Sequence, residues 1–174
     1  MFRGISHSAL RRLNMINRDL LVTRIDQAIA EDFVDNLDVT TSPTIPATQR
    51  CIGEFRTRKR GVVSGIDVAL VVLDRVCAGG YEILSRLSDG NTVGENVTVL
   101  KVSALTRELL VAERTALNFL SRLSGISTTT RHWVDAIAGT TAKIRDTRKT
   151  TPGWRDLEKY AVLCGGGVNH RLNL

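Results

Sequence analysis

Aromatic residues are scarce in this chain, cysteines are few and odd in number, and no long uninterrupted apolar run occurs. Each shortage excludes something. At 5% aromatics, a platform for stacking nucleic-acid bases has little support, even beside the basic cluster Arg50, Arg56, Arg58, Lys59 and Arg60. Cys51, Cys77 and Cys164 are widely spaced, with no C-x-x-C pair and no local histidine partner. Neither a disulfide framework nor a zinc site is indicated, and a reducing cytoplasm fits best. The longest apolar stretches are broken by Asp67, Asp74, Glu108 and Glu113, well short of the ~18 residues that a membrane helix needs, so the expectation is a soluble chain. No internal repeat is visible. Charged residues of both signs make up 24%, unlike a disordered polymer or a collagenous repeat.

What is present suffices for a globular core: 174 residues, 43% of them hydrophobic, allow one domain or two small ones. Lys and Arg number 24 against 18 Asp and Glu, a formal charge of +6. That balance favours anionic partners, whether nucleic acid, a membrane surface or a small phosphorylated or carboxylated molecule, and does not choose among them. Residues 1–18 carry Arg3, Arg11, Arg12 and Arg18 with no acid before Asp19. Mitochondrial transit peptides share that composition, and so does an ordinary frayed terminus, the simpler reading.

Along the chain, Leu21, Ile25, Ala28 and Ile29 predict a helix from about Arg18 to Glu31. Asp35 to Asp38, Thr40 to Pro43 and Pro46 predict a loop. Cys51, Gly53, Phe55 and Thr57 alternate with Ile52, Glu54, Arg56 and Arg58 as in a strand. A helix follows, with Ser64 as N-cap, Ile66, Leu70, Leu73 and Cys77 on one face, and Gly79-Gly80 as terminator. Tyr81–Leu87 and Val97–Val102 are predicted strands, with Asp89-Gly90 and Gly94-Glu95-Asn96 as turns. Leu109, Ala116, Leu117, Leu120 and Leu123 predict a long helix over Thr106–Leu123, ended by Gly125, and Ser127–Ala138 a shorter one ended by Gly139.

The final stretch reads as one parallel βαβ unit: a strand over Ala142–Asp146, a helix with Thr151 as N-cap and Pro152 at its first position, then Gly165-Gly166-Gly167 turning into Val168-Asn169-His170. The expected fold class is α/β, with an α+β sandwich-like N-terminal domain followed by the start of an incomplete α/β barrel. The divisions are a basic terminus over 1–18, the α+β domain over 19–123 ending in a long helix, and the barrel start over 124–174.

In such a unit Arg148 and Lys149 stand at the carboxyl end of one strand, where α/β folds bind ligands, and immediately before a helix whose positive end prefers an anion. A bare Arg-Lys pair is also an ordinary solvated surface pair. His170 and Arg171 stand at the end of the next strand, so cations from both converge where a bound polyanion would relieve their repulsion. A lone histidine is more often structural, and three glycines are more often a helix stop than a phosphate loop. On the long helix Arg114 and Asn118 share a face beside Glu113, as a site or as a plain helix edge.

Four blocks then stand in order: Glu113-Arg114-Thr115-Ala116-Leu117-Asn118; Arg122-Leu123-Ser124-Gly125-Ile126; Asp146-Thr147-Arg148-Lys149-Thr150-Thr151-Pro152-Gly153; and Gly165-Gly166-Gly167-Val168-Asn169-His170-Arg171. Together they resemble the successive signatures of quinolinate phosphoribosyltransferases. Asp38-Val39-Thr40-Thr41 and Gly61-Val62-Val63-Ser64-Gly65 add a weaker likeness. The resemblance implies transfer of phosphoribosyl from phosphoribosyl pyrophosphate to quinolinate with decarboxylation, in NAD biosynthesis. It implies magnesium with the pyrophosphate, and a cytoplasmic homodimer with a shared active site that engages neither nucleic acid nor membrane. It also implies that Arg148, Lys149, His170 and Arg171 line the quinolinate pocket while Arg114 reaches into the neighbouring subunit. No residue is assigned as nucleophile or general base.

The same resemblance implies that the phosphoribosyl- and magnesium-binding residues lie past Leu174. By that reading the chain is the quinolinate-binding half, inactive alone and marginal in stability or prone to associate. Three other readings are a related phosphoribosyltransferase for another aromatic acid, a non-catalytic basic nucleic-acid-binding module, and a truncated product with only a structural or interfering role in a dimer.

Overall fold

The computed structural model describes residues 15–32 and 41–171, with the side chain of residue 42 left out. Most of the basic start and the loop expected over 35–40 lie outside the described residues. Asn17 opens the first helix, α1 (Arg18–Glu31), by accepting the Leu20 N–H on its side-chain oxygen at 3.1 Å, and Leu21 and Ile25 are its buried face. A single helical turn, α2 (Thr41–Thr44), occupies part of the predicted loop. Pro43 is tolerated there because N–H groups in a first turn have no helical partner to lose.

Strand β1 (Arg50–Arg56) has the predicted alternation, with Phe55 buried and Ile52, Glu54 and Arg56 exposed. It pairs antiparallel with β5 (Thr98–Leu105), which pairs antiparallel with β3 (Glu82–Arg86), giving the order β1-β5-β3. A separate two-stranded antiparallel ladder of β2 (Gly61–Val62) and β4 (Thr92–Val93) is absent from the sequence reading. Two-residue strands leave no periodicity to read.

Helix α3 (Ile66–Cys77) packs its apolar residues inward, with Val68, Ala69, Val72 and Leu73 all at 0% exposure. Its cap corrects the Ser64 assignment. Gly65 is the N-cap, at φ 101° in the left-handed region, and its side of the turn faces α4 so closely that an added Cβ would lie 3.0 Å from Leu123 Cδ1. With no side chain at the cap, the carboxylate of buried Asp89 accepts the N–H groups of Gly65 and Ile66, both at 2.9 Å. A residue predicted as a surface turn is thus a distant helix cap.

Helix α4 (Thr106–Ala136) runs unbroken through 31 residues, which corrects the two-helix reading. Gly125 costs ~1 kcal/mol in a helix interior, but packing on both sides of it outweighs that: Leu120, Leu123, Ser127 and Thr130 are buried along one face. The expected division between 123 and 124 therefore falls inside one helix. Helix α5 (Arg155–Cys164) also starts later than predicted. Gly153 at φ 78° cannot be helical, so Thr151–Trp154 is a turn closed by the Trp154 N–H donating to the Thr151 carbonyl at 3.0 Å.

The core joins α3, α4, the inner face of the sheet and Leu157, Tyr160, Ala161 and Cys164 of α5. Trp154 stacks on Phe119 with ring centroids 5.0 Å apart, and Ser127 Oγ donates to the Ala161 carbonyl at 2.7 Å. Gly165 lets α5 end against α4, since a Cβ there would lie 2.5 Å from the Ser127 carbonyl oxygen. The mixed architecture of antiparallel sheet, helices and one parallel connection is the expected fold class. No helix among the described residues is long and apolar enough to cross a membrane.

Candidate functional site

The predicted parallel unit exists in its shortest form. Arg145 and Val168 form a parallel bridge: the Val168 N–H donates to the Ile144 carbonyl at 2.9 Å and the Asp146 N–H to the Val168 carbonyl at 3.2 Å. The crossover between these two chain ends is α5. The bridge sets Asp146 beside His170, whose backbone N–H donates to Asp146 Oδ1 at 2.6 Å. Arg148 and Lys149 therefore leave one clamped end and His170 and Arg171 the other, so two motif blocks over 20 residues apart meet at one edge.

Arg148 and His170 are half-buried, and Lys149 and Arg171 are exposed. Arg148 Nε and His170 Nδ1 are buried without a hydrogen-bond partner. Buried polar atoms are almost always satisfied by protein or by water. Ser64 Oγ, Thr106 Oγ1 and Asp156 Oδ2 are buried without a partner as well, and what sets Arg148 and His170 apart is that the bridge brings their chain ends together. The helix-dipole contribution expected behind Arg148 and Lys149 is corrected by the later start of α5, because dipole effects fade within the first turn and a turn intervenes. The structure does not gather Arg114 with these four. It is exposed on α4 and ion-paired with Asp32 at 3.0 Å.

Helix α5 is tied down on three sides. Arg24 of α1 reaches Asp156 at 2.8 Å, and Arg122 of α4 donates to both Thr151 Oγ1 and Glu158 Oε1 at 2.7 Å. Burial works against ionisation of Glu158, but hydrogen bonds from Arg122 and Thr151 outweigh it, and its carboxyl sits below the ordinary value. Tyr160 donates its hydroxyl to Asp89 Oδ2 at 2.6 Å, joining α5 to the cap of α3. Burial raises the Asp89 carboxyl above its ordinary value, against the lowering effect of Tyr160 and the two N–H groups.

The basic run lies elsewhere. Arg56, Arg58, Lys59 and Arg60 edge an open cleft of about 730 Å³ between β1, β2 and the outer face of α4, which offers Ser121, Ser124, Thr128 and Thr129. Phe55, the one aromatic within that run, is buried at 6% exposure.

The family model for the quinolinate phosphoribosyl transferase N-terminal domain matches residues 38–124, and that for its C-terminal domain matches 126–174. The chain belongs to the quinolinate phosphoribosyl transferase family. It is 52% identical over 151 residues to the carboxylating nicotinate-nucleotide pyrophosphorylase of Mycobacterium leprae, covering 86% of this chain and 53% of that protein. The chloroplastic enzyme of the same name from Oryza sativa subsp. japonica is 40% identical over 150 residues, covering 86% of this chain and 40% of that one. Among solved structures, the nicotinate-nucleotide pyrophosphorylase from Francisella tularensis superposes with a TM-score of 0.85 at 34% identity, over 91% of this chain and 55% of that one. The chain thus spans about half the length of the relatives it matches.

One further residue stands at the same edge and was missed by the sequence reading. Lys159 is fully buried, its Nζ donating to Asp146 Oδ2 at 2.6 Å and to the His170 carbonyl at 3.0 Å. Within Leu157-Glu158-Lys159-Tyr160 it reads as a solvated helix charge, and only the tertiary fold turns it inward. Arg131 lays its guanidinium over Gly166, where an added Cβ would lie 3.0 Å from Nη2. Its Nε is a further buried orphan.

Proposed function

We propose that this chain grips quinolinate for phosphoribosyl transfer, with Arg148, Lys149, His170 and Arg171 as the acid-binding cluster. The product is nicotinate mononucleotide, with pyrophosphate and carbon dioxide released. The observation that carries the reading is the parallel clamp of 144–146 against 168–170, which leaves Arg148 Nε and His170 Nδ1 buried and unpartnered on the two ends it joins. Membership of the family supports it. Quinolinate bears two adjacent carboxylates on a flat ring, and guanidinium forks bind carboxylates bidentately.

In that role the cations hold the ring so that its nitrogen faces the ribose carbon. The new N–C bond forms as the bond from the ribose carbon to pyrophosphate breaks; the neighbouring carboxylate then leaves as carbon dioxide, its bonding electrons stay on the ring carbon, and that carbon takes a proton from water. Orientation and charge balance supply the rate, with no covalent nucleophile required. His170 serves as a hydrogen-bond donor to a carboxylate.

Magnesium, implied by the family with phosphoribosyl pyrophosphate, finds no group of three His, Cys, Asp or Glu side chains among the described residues that could hold it. The role proposed here is confined to the acid. In the proposed homodimer, Arg114 extends to the neighbouring subunit's pocket, consistent with its 74% side-chain exposure. A cytoplasmic setting, implied by the family likeness, belongs to the same proposal.

Isothermal titration of the chain with quinolinate, nicotinate and a short DNA duplex tests the reading. Quinolinate should bind most tightly. Arg148→Ala should weaken it by about tenfold or more, since each charge-assisted hydrogen bond contributes about 1.5–3 kcal/mol. Salt-sensitive duplex binding with no response to quinolinate would overturn it.

A further inference from the structure

We propose that the buried Lys159–Asp146 pair is the positioning device of the acid-binding cluster, fixing the backbone of His170 and hence setting His170 and Arg171 against Arg148. The inference rests on the quinolinate reading above and names residues it did not assign.

Lys159 is fully buried and Asp146 has a side chain only 5% exposed, with Nζ and Oδ2 2.6 Å apart. Taking two charges out of water costs more than their attraction commonly returns, and apolar residues of like volume often stabilise a fold as well or better. What an apolar pair cannot supply is direction. Here the direction is spent on one residue. Asp146 Oδ1 accepts the His170 N–H at 2.6 Å, and Lys159 Nζ donates to the His170 carbonyl at 3.0 Å, so both backbone polar groups of His170 are held by the two partners of one ion pair.

Asn169 completes the node. With its amide turned to the orientation its neighbours satisfy, it donates to Asp146 Oδ2 at 3.0 Å and to the Lys159 carbonyl at 3.1 Å. The side chains proposed to meet the ligand are left out of this network: Arg148 Nε and His170 Nδ1 keep their hydrogen-bonding capacity unspent. Asp146 stands two residues before Arg148, and His170 one before Arg171. The node therefore fixes the roots of the cluster and leaves its tips for a ligand, the arrangement required of a preorganised site.

The test replaces the pair with apolar side chains of similar size, Asp146→Leu with Lys159→Met, leaving no buried charge unpaired. The double variant should keep its circular dichroism and unfold cooperatively, at a lowered melting midpoint because the His170 N–H and C=O lose their partners. Its quinolinate dissociation constant should rise at least about tenfold, as expected when binding groups are displaced by a fraction of an ångström. The quinolinate-induced shift of the His170 imidazole resonance, a signature that packing alone does not move, should disappear. A folded double variant that binds quinolinate with native affinity would overturn the proposal while leaving the quinolinate reading intact. A native chain that fails to bind quinolinate sinks both. Amide exchange supplies a check free of variants: the His170 N–H of the native chain should exchange slowly, like the core, and exchange at the rate of an open loop would overturn the proposal even if the double variant did not fold.

Discussion

The sheet layer with α3 and α4 and the final βαβ unit are held together by different forces. In the first, Val68, Leu73, Leu100, Val102 and Leu123 are fully buried and apolar packing dominates, with directed bonds such as Arg86 to Asp67 and Ser124 to Ser64 beside it. In the second, Leu157 and Ala161 dock α5, but the two chain ends are joined by one bridge and the Lys159–Asp146–His170 node. Apolar packing is non-directional and tolerates small displacements; short charge-assisted hydrogen bonds fix atoms in place. The region held by area supplies most of the stability, and the region held by directed bonds carries the residues proposed to grip the acid.

The largest effect that separates the two is expected at Leu123. It is fully buried where α4 meets the start of α3, so Leu123→Ala should cost about 2–5 kcal/mol, the lost transfer energy plus a cavity. Denaturant unfolding measures this. If the regions divide as described, quinolinate affinity of the folded fraction should be unchanged, and a parallel loss of affinity would show that the division is false.

A smaller effect probes one of the bond networks that the regions share. Asp89 caps α3 and accepts from Tyr160 of α5. Burial raises its carboxyl, so the folded chain holds that proton more tightly than the unfolded chain does. This contribution is fully present below the ordinary carboxylate range and is lost as pH rises through the folded value. Glu158, lowered in the folded chain, has the opposite sign, its contribution being lost as pH falls. Asp89→Asn cannot ionise and leaves one buried donor poorly matched, at a cost of about 1–3 kcal/mol near the acid end. Comparing melting midpoints of the two proteins cancels Glu158: the deficit of the variant should shrink as pH rises from 4 to 8. Parallel profiles would mean that Asp89 titrates alike folded and unfolded.

The apolar region was also the more legible one. Alternation at 51–58 and the stripe Leu21, Ile25 placed β1 and α1 correctly because burial repeats with the period of the backbone. Errors arose where a distant residue overrode a local signal. Ser64 looked like a cap, but Asp89, over 20 residues away, performs that role; Gly125 looked like a stop, but α4 continues because α5 and α3 pack on both sides of it. In the final unit, the motif residues Arg148, His170 and Arg171 were legible as types and spacing. Lys159 was not, since nothing in a helix-borne Glu-Lys pair says which charge turns inward, and Arg114 was readable only by likeness to a family.

The smallest predicted effect concerns the junction of the two regions. An alanine Cβ at position 125 would meet no atom within 4 Å, in contrast to position 165, where backbone blocks it. Gly125 sits in regular helix inside α4, so its flexibility only adds entropy to the unfolded chain. Gly125→Ala should therefore stabilise by about 0.5–1 kcal/mol. Thermal unfolding at matched pH reads the gain as a rise of a few degrees. Because α4 is the beam that carries both regions, the rise should be accompanied by slower amide exchange on both sides of residue 125. Slowing on one side alone would mean that the helix opens in two halves at the glycine, and that the sequence signal for a stop there reports a hinge that the folded chain still uses.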